Sequence, residues 1–263
     1  KPRNHPRAGY ALAMATSNLI DIARGLLLPK LDVLQKRGRR SDVGATEQDV
    51  WSAGQADSGA VVLRTAPNAP GVVSVVSTSA QDISTGTGGR KVEVDVLDEN
   101  WEQQSYVIVP TGATPASSAG TEQAIRIQDV RVTEAGSGGA NAGRIDVSVG
   151  GNVQASVPIG LGRSQEAMVS VPAGFRAYVL RAFVESPTAD VIVRLYRRVG
   201  AAGGVPSLQL IREWRTSSGA MAAQELTQAL EAIDPKSDLL FRASVASGAA
   251  WVGAGVDLLL EAL

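Results

Sequence analysis

The chain has 263 residues, 44% of them hydrophobic, with a formal net charge of −1 and no cysteine. The zero cysteine count excludes disulfides and thiolate metal ligands, and no apolar run reaches the ~18 residues that a membrane-spanning helix needs. Aromatic residues make up only 4%, while 28 Gly and 12 Pro punctuate short Val- and Ala-rich runs, the composition of a many-stranded, turn-rich protein.

Charge is split along the chain. The first 40 residues hold nine Lys or Arg and two acids, whereas the other 223 hold 16 bases and 24 acids. A basic segment on an acidic body is the pattern of a segment that docks on another molecule. Residues 1–15 carry Pro2, Pro6 and Gly9 among bases and read as an extended arm. Thr16-Ser17-Asn18 then offers N-cap chemistry to a helix whose Leu19, Ile22, Ala23 and Leu26 share one face. Gly25 weakens that helix and Pro29 limits it to two or three turns. A helix so short needs a partner surface, which makes Ile22 and Leu26 candidate docking residues. The densest basic patch follows, and it adds Lys36, Arg37, Arg39 and Arg40 to the candidates. From Ser41 to Ala60 the chain reads as a polar linker interrupted by Val50-Trp51. Trp51 in that setting plugs a packing site or takes a partner, and it completes the docking set.

From Val61 the pattern changes to period two. Val92, Val94 and Val96 alternate with Glu93 and Asp95, and Ile145, Val147 and Val149 alternate with Asp146 and Ser148. Each run predicts a strand with one buried and one wet face. Further strands are expected at Val72 to Ser77, Ser105 to Val109, Ala124 to Thr133 and Val153 to Val157, joined by turns at Gly86 to Gly89 and Gly136 to Gly143. The pattern pauses around Gly160 to Arg163. It resumes with expected strands at Ala167 to Val171, Phe175 to Glu185, Val191 to Val199, Leu208 to Trp214, Leu239 to Val245 and Trp251 to Leu260. Leu226, Ala229, Leu230 and Ile233 share a helical face, so residues 220–233 also allow a helix. The expected fold is mainly β, with two antiparallel β-sandwich (jelly-roll-like) domains preceded by a basic N-terminal arm with a short helix. The expected boundaries are 1–60 for arm, helix and linker, 61–160 for the first sandwich and 161–263 for the second.

No catalytic constellation emerges. The sole His, His5, sits in the expected arm without companion ligands or a partner acid. The clusters at Gly86 to Gly89 and Gly136 to Gly139 precede strands rather than the helix a phosphate loop requires. Asp95, Asp98, Glu99 and Glu102 have the layout of a solvated hairpin. There is no Gly-x-Ser-x-Gly elbow and no His-Glu-x-x-His pair. The chain therefore reads as non-enzymatic, with no catalytic, cofactor or metal site. The basic patch suits solvent, acidic surface on another subunit, or nucleic acid phosphates. Only Tyr10 supplies an aromatic in the first 40 residues, so a protein partner is favoured over nucleic acid.

Several ordered segments resemble virion structural proteins of tailed bacteriophages. They begin with Asn18-Leu19-Ile20-Asp21-Ile22-Ala23-Arg24-Gly25 and Glu47-Gln48-Asp49-Val50-Trp51. They continue through Val75-Val76-Ser77-Thr78-Ser79-Ala80-Gln81-Asp82 and Thr85-Gly86-Thr87-Gly88-Gly89-Arg90-Lys91-Val92. Ala135-Gly136-Ser137-Gly138-Gly139-Ala140-Asn141-Ala142-Gly143 and Val171-Pro172-Ala173-Gly174-Phe175-Arg176-Ala177-Tyr178 complete the series. Where such proteins have Lys-Phe-Gly-Arg-Asn, this chain has Lys36-Arg37-Gly38-Arg39-Arg40. The resemblance spans most of residues 18 to 260. It implies a capsid-associated decoration, cement or head-fibre subunit, or alternatively a tail, collar or fibre-adaptor component. It also implies that Ile233 to Asp238 lead into a strand. The partners it implies are other virion proteins, such as the major capsid protein or head and tail components, and the implied location is a virion assembled in the host cytoplasm. Symmetric oligomers are usual for such parts, and a trimer is expected; no membrane and no cofactor are expected. A host-surface or carbohydrate-binding adhesion module is the rival from another class, because β-sandwiches serve that use too.

Overall fold

The computed structural model describes residues 31–52, 63–117, 123–199, 207–225 and 232–263. The expected arm and helix, with Ile22 and Leu26, lie outside the described residues. Along the chain run β1 (Leu31–Val43), β2 (Gln48–Asp49), β3 (Gly71–Ser77), β4 (Gly89–Asp98), β5 (Gln103–Ile108), β6 (Ala116–Ser117), β7 (Gln123–Ala135) and β8 (Ile145–Val149). They are followed by β9 (Asn152–Val157), β10 (Met168–Ser170), β11 (Phe175–Ser186), β12 (Val191–Val199), β13 (Ser207–Thr216), β14 (Ala220–Glu225), β15 (Asp238–Val245) and β16 (Ala250–Ala262). Every pairing between these strands is antiparallel. Each strand expected between Val72 and Leu260 is present. Residues 220–225, which also allowed a helix, pair as β14 with β11.

Two sheets, ordered β1-β16-β11-β14 and β10-β15-β12-β13, form the larger sandwich. Its core draws Val179, Val184, Val252 and Leu258 from one sheet and Val193, Leu195, Phe241 and Ala243 from the other. Alternation is visible in β12, where Val191, Val193 and Leu195 are buried between half-buried Ile192 and Arg194. β-branched side chains at such positions fit the pleated, half-buried surface.

The expected arm-and-linker boundary at residue 60 does not hold for residues 31–52. β1 runs along β16 from Leu31↔Glu261 to Val43↔Ala250, so the larger sandwich closes on its own N-terminal strand. Val43 and Val50 belong to its core. The sequence hides this strand because its inward positions after Leu34 are Lys36, Gly38 and Arg40, so the usual apolar alternation is missing.

The edge strand beside β15 is made of two pieces. β2 pairs with Arg242 and Ala243, and β10 pairs with residues 238–240 on the same side of β15. Between them, Val50 N–H donates to Phe241 O (2.9 Å), Phe241 N–H donates to Ala167 O (3.0 Å), and Ala167 N–H donates to Val50 O (2.9 Å). The chain thus leaves the sandwich in mid-strand at Trp51 and returns at Glu166, and these two residues form a β-bridge. The smaller domain is inserted there.

That domain is a seven-stranded sheet, ordered β5-β4-β7-β3-β8-β9 with β6 beside β3, folded around its own Val- and Ile-rich core. Its two glycine loops wrap one carboxylate. Asp82, fully buried, accepts from Ser77 Oγ (2.5 Å) and from the backbone N–H groups of Gly89 (2.6 Å), Ala142 (2.8 Å) and Gly143 (2.8 Å). A Cβ at Gly88 would collide with Asp82 Oδ1, and one at Gly143 would collide with Ser79 N. Both glycine clusters are therefore close-approach positions around a structural acid.

Two outcomes test this architecture. Replacing residues 51–166 by a single Gly should leave a larger sandwich that unfolds cooperatively in denaturant; a chain without a cooperative transition contradicts the mid-strand insertion. Asp82→Ala strands the buried donors Gly89 N–H, Gly143 N–H and Ser77 Oγ, and should cost the full protein at least ~3 kcal/mol of unfolding free energy.

Candidate docking site

The docking residues read from the sequence fall largely on one strand, and an extended strand sends successive side chains to opposite faces. Lys36 and Arg40 point inward, while Arg37 is exposed and Arg39 half-buried on the outer face. The basic patch is thereby divided between an internal junction and an external surface.

The inward half is consumed within the chain. Lys36 Nζ lies 3.7 Å from Asp129 and 3.9 Å from Glu166, and it donates to Gln128 O. Glu166 accepts from Ser156 N–H at 2.9 Å. Burial pushes the Glu166 carboxyl above its usual range, with Lys36 opposing. Arg40 is 0% exposed and pairs with Asp42 at 2.9 Å; burial pulls its pKa down, and Asp42 counters it. Trp51, also 0% exposed, packs with Met168, Leu240, Tyr196 and Val153, so it plugs the junction of the two domains. Lys36, Arg40 and Trp51 are not on a surface, and the docking role expected for them is corrected accordingly. Gly38, between the arginines, sits where the returning chain crosses: a Cβ there would collide with Ala167 N.

A second buried ionic centre also joins the domains. Asp238 at the start of β15 accepts two bonds from Arg126 of β7 (2.9 and 3.0 Å), one from Ser170 Oγ (2.6 Å), and one from Arg198 (3.3 Å). Burial pushes this carboxyl up, yet Arg126, Arg64 and Ser170 outweigh it and hold the group below the usual Asp range. Arg64 is brought down to about 10, chiefly by burial and then by Arg126 and Arg198, with Asp238 opposing. The Arg126 guanidinium also lies 4.8 Å from the Trp101 ring centroid. Trp101 holds φ +67° in the β4–β5 turn, whose Asp98 accepts from the N–H groups of Asn100 and Glu102. The acidic stretch is thus a hairpin turn, as its sequence suggests.

A cleft of about 500 Å³ runs between the domains, lined by Lys36, Asp95, Gln104, Gln128, Asp129 and Arg131 among others. Its charges are tied to one another: Arg131 binds Glu93 (2.8 Å) and Asp95 (2.7 Å), and Arg163 binds Asp129 (2.8 Å). These pairs lie within the inserted domain and brace its wall of the cleft, while Lys36 reaches across from β1 to Asp129.

On the outer face of the β1-β16-β11 sheet lies a different depression, about 420 Å³, lined by Arg37, Arg39, Arg181, Phe183, Glu185 and Trp251, with Gly38 and Gln165. A register shift between Val179 and Arg181 turns Phe183 and Glu185 to this face, after Ala177 and Val179 have faced the core. Phe183 and Glu185 lie across Gly255 and Gly253 of β16, where added Cβ atoms would collide with them. Arg37 sits 4.8 Å from the Phe183 ring centroid. Of the candidate residues, this depression gathers Arg37 and Arg39. It adds Arg181, Phe183 and Trp251, which the sequence reading missed because only the long-range register brings them together.

Asp238→Asn should destabilise the protein by about 3–5 kcal/mol at neutral pH, the cost of breaking a buried ion pair from one side. The native carboxylate's contribution is fully present above the ordinary Asp value of 3.8 and is lost as pH falls through its lower folded value. Denaturant titrations should therefore show wild type and variant converging only in strong acid.

No protein-family model matches the chain, and no curated protein matches it. Solved structures with some likeness include infectious bursal disease virus Gt strain, at 10% identity and TM-score 0.27, covering 91% of this chain and 77% of that one. The Gx strain gives 11% identity, TM-score 0.26 and the same coverages. The VP2 subviral particle of that virus gives 10% identity and TM-score 0.21, again covering 91% and 77%. Scores of this size carry no argument about function.

Proposed function

We propose that this protein is a non-enzymatic structural component of a virus particle, of the tailed-phage kind that its sequence resembles. The observation that carries the proposal is the build of the chain. Its larger sandwich has a strand order, counting the interrupted edge strand as second, of first-eighth-third-sixth against second-seventh-fourth-fifth. That is the order of a jelly roll, an architecture used by viral capsid proteins, lectins and cupins. Buried charge pairs fasten a second β-domain to it, which suits a rigid block more than a moving catalyst. The ordered likeness between residues 18 and 260 selects the virion use among these.

In this reading the chain is a decoration, cement or head-fibre subunit that meets other virion proteins, and its copies follow the particle's symmetry, with a trimer the simplest case. Among the described residues of the candidate set, Arg37 and Arg39 lie on an outer face, and they form its contact region. Imaging intact particles at a resolution that traces this chain tests the proposal. Density for the chain on the head shell is the expected result. Density on the tail would move it to the collar or fibre-adaptor class, and purified particles without the chain would overturn the assignment.

A further inference from the structure

We propose that the depression on the outer β1-β16-β11 face is a binding site for a short run of carboxylates on a partner protein. The proposal deepens the docking reading above by naming the partner's chemistry, and it begins with unspent charge. Elsewhere the arginines facing the cleft and the domain junction are matched to acids: Arg126 and Arg198 to Asp238, Arg131 to Glu93 and Asp95, Arg163 to Asp129, Arg242 to Asp49. Arg37, Arg39 and Arg181 make no ion pair and no side-chain hydrogen bond among the described residues. They nonetheless line one depression. Arg181 Nε is buried without an acceptor, a donor whose loss of water is uncompensated in the free protein.

The site is shaped as well as charged. Gly253 and Gly255 allow Phe183 and Glu185 to lie flat across β16 toward β1. The Phe183 ring then supports the Arg37 guanidinium, which limits its rotamers and presents its edge donors outward. A planar fork held this way matches a carboxylate in two parallel hydrogen bonds. The volume of about 420 Å³ falls within the ~300–1,000 Å³ of ordinary ligand sites, room for a few side chains.

Carboxylates fit better than a phosphate backbone for two reasons on the same face. Glu185 sits among the arginines, holding the local excess to two positive charges and placing an acid where a polyphosphate would be densest. The Phe183 ring is engaged by Arg37, which leaves Trp251 as the depression's remaining aromatic, too few for successive bases to stack.

The test titrates the full-length protein with a fluorescein-labelled hexaglutamate peptide and, separately, with an oligothymidylate of similar charge, at two salt concentrations. Saturable peptide binding that weakens with salt is expected. Arg39→Ala and Arg181→Ala should each weaken it about tenfold or more, the effect of losing one charge-assisted contact. Glu185→Gln should tighten it severalfold, a gain that misfolding cannot imitate; unchanged unfolding midpoints confirm that the variants fold. Absence of saturable peptide binding, equal or tighter oligothymidylate binding, or weakening by Glu185→Gln would each overturn the proposal. Self-association of the protein that Arg39→Ala abolishes would also overturn it, by assigning the face to a second copy. Peptide binding is read on the isolated protein and location on the particle, so the two proposals fail separately.

Discussion

The whole molecule turns on the charge pairs that hold an inserted domain to an interrupted strand. Asp238 opens β15 and is gripped by Arg126 from the inserted domain and by Arg198 from β12. Lys36 from β1 meets Asp129 and Glu166 at the same junction. A buried carboxylate is costly to desolvate, and here it is tolerated because several donors converge on it. Ion pairs of this kind add little net stability over an apolar contact. They are demanding about geometry, and the relative placement of the domains follows from that demand.

The same logic governs the basic patch. A run of four bases within five residues invites a single reading as one surface. In an extended strand it becomes two surfaces, one sealed at the junction and one open on the outer sheet. The sealed half is structural. What remains outside is smaller and more specific, because the neighbouring strand carries glycine where Phe183 and Glu185 need to lie.

Much of the fold was legible in the sequence, and the exceptions share a cause. Strands with apolar alternation, such as Val92 to Val96 and Ile145 to Val149, are found where expected, because a single buried face writes period two into the residues. β1 was hidden since Lys36, Gly38 and Arg40 occupy its inward positions against a polar junction instead of a core. The register shift in β11 likewise moves the outward set from Tyr178 to Arg181, Phe183 and Glu185, and alternation alone does not announce it. The hairpin nature of Asp98 to Glu102 was readable from local turn chemistry. The convergence of Arg37 with Arg181 and Phe183 was not, since it depends on β16, more than 200 residues further along the sequence from β1.

That distance sets an order of events during synthesis. β1 emerges from the ribosome ahead of the other described strands, and its partner β16 follows all of them. The larger sandwich therefore cannot close until β16 has been made, whereas the inserted domain finds all its strand partners between residues 71 and 157. The insert is thus free to fold before β16 is made, as N-terminal units generally do on the ribosome, and it brings the two halves of the broken edge strand end to end. β15 then meets a prepared template rather than two distant segments. In this sense the insertion shortens the search that such non-local pairing otherwise imposes on a β-protein.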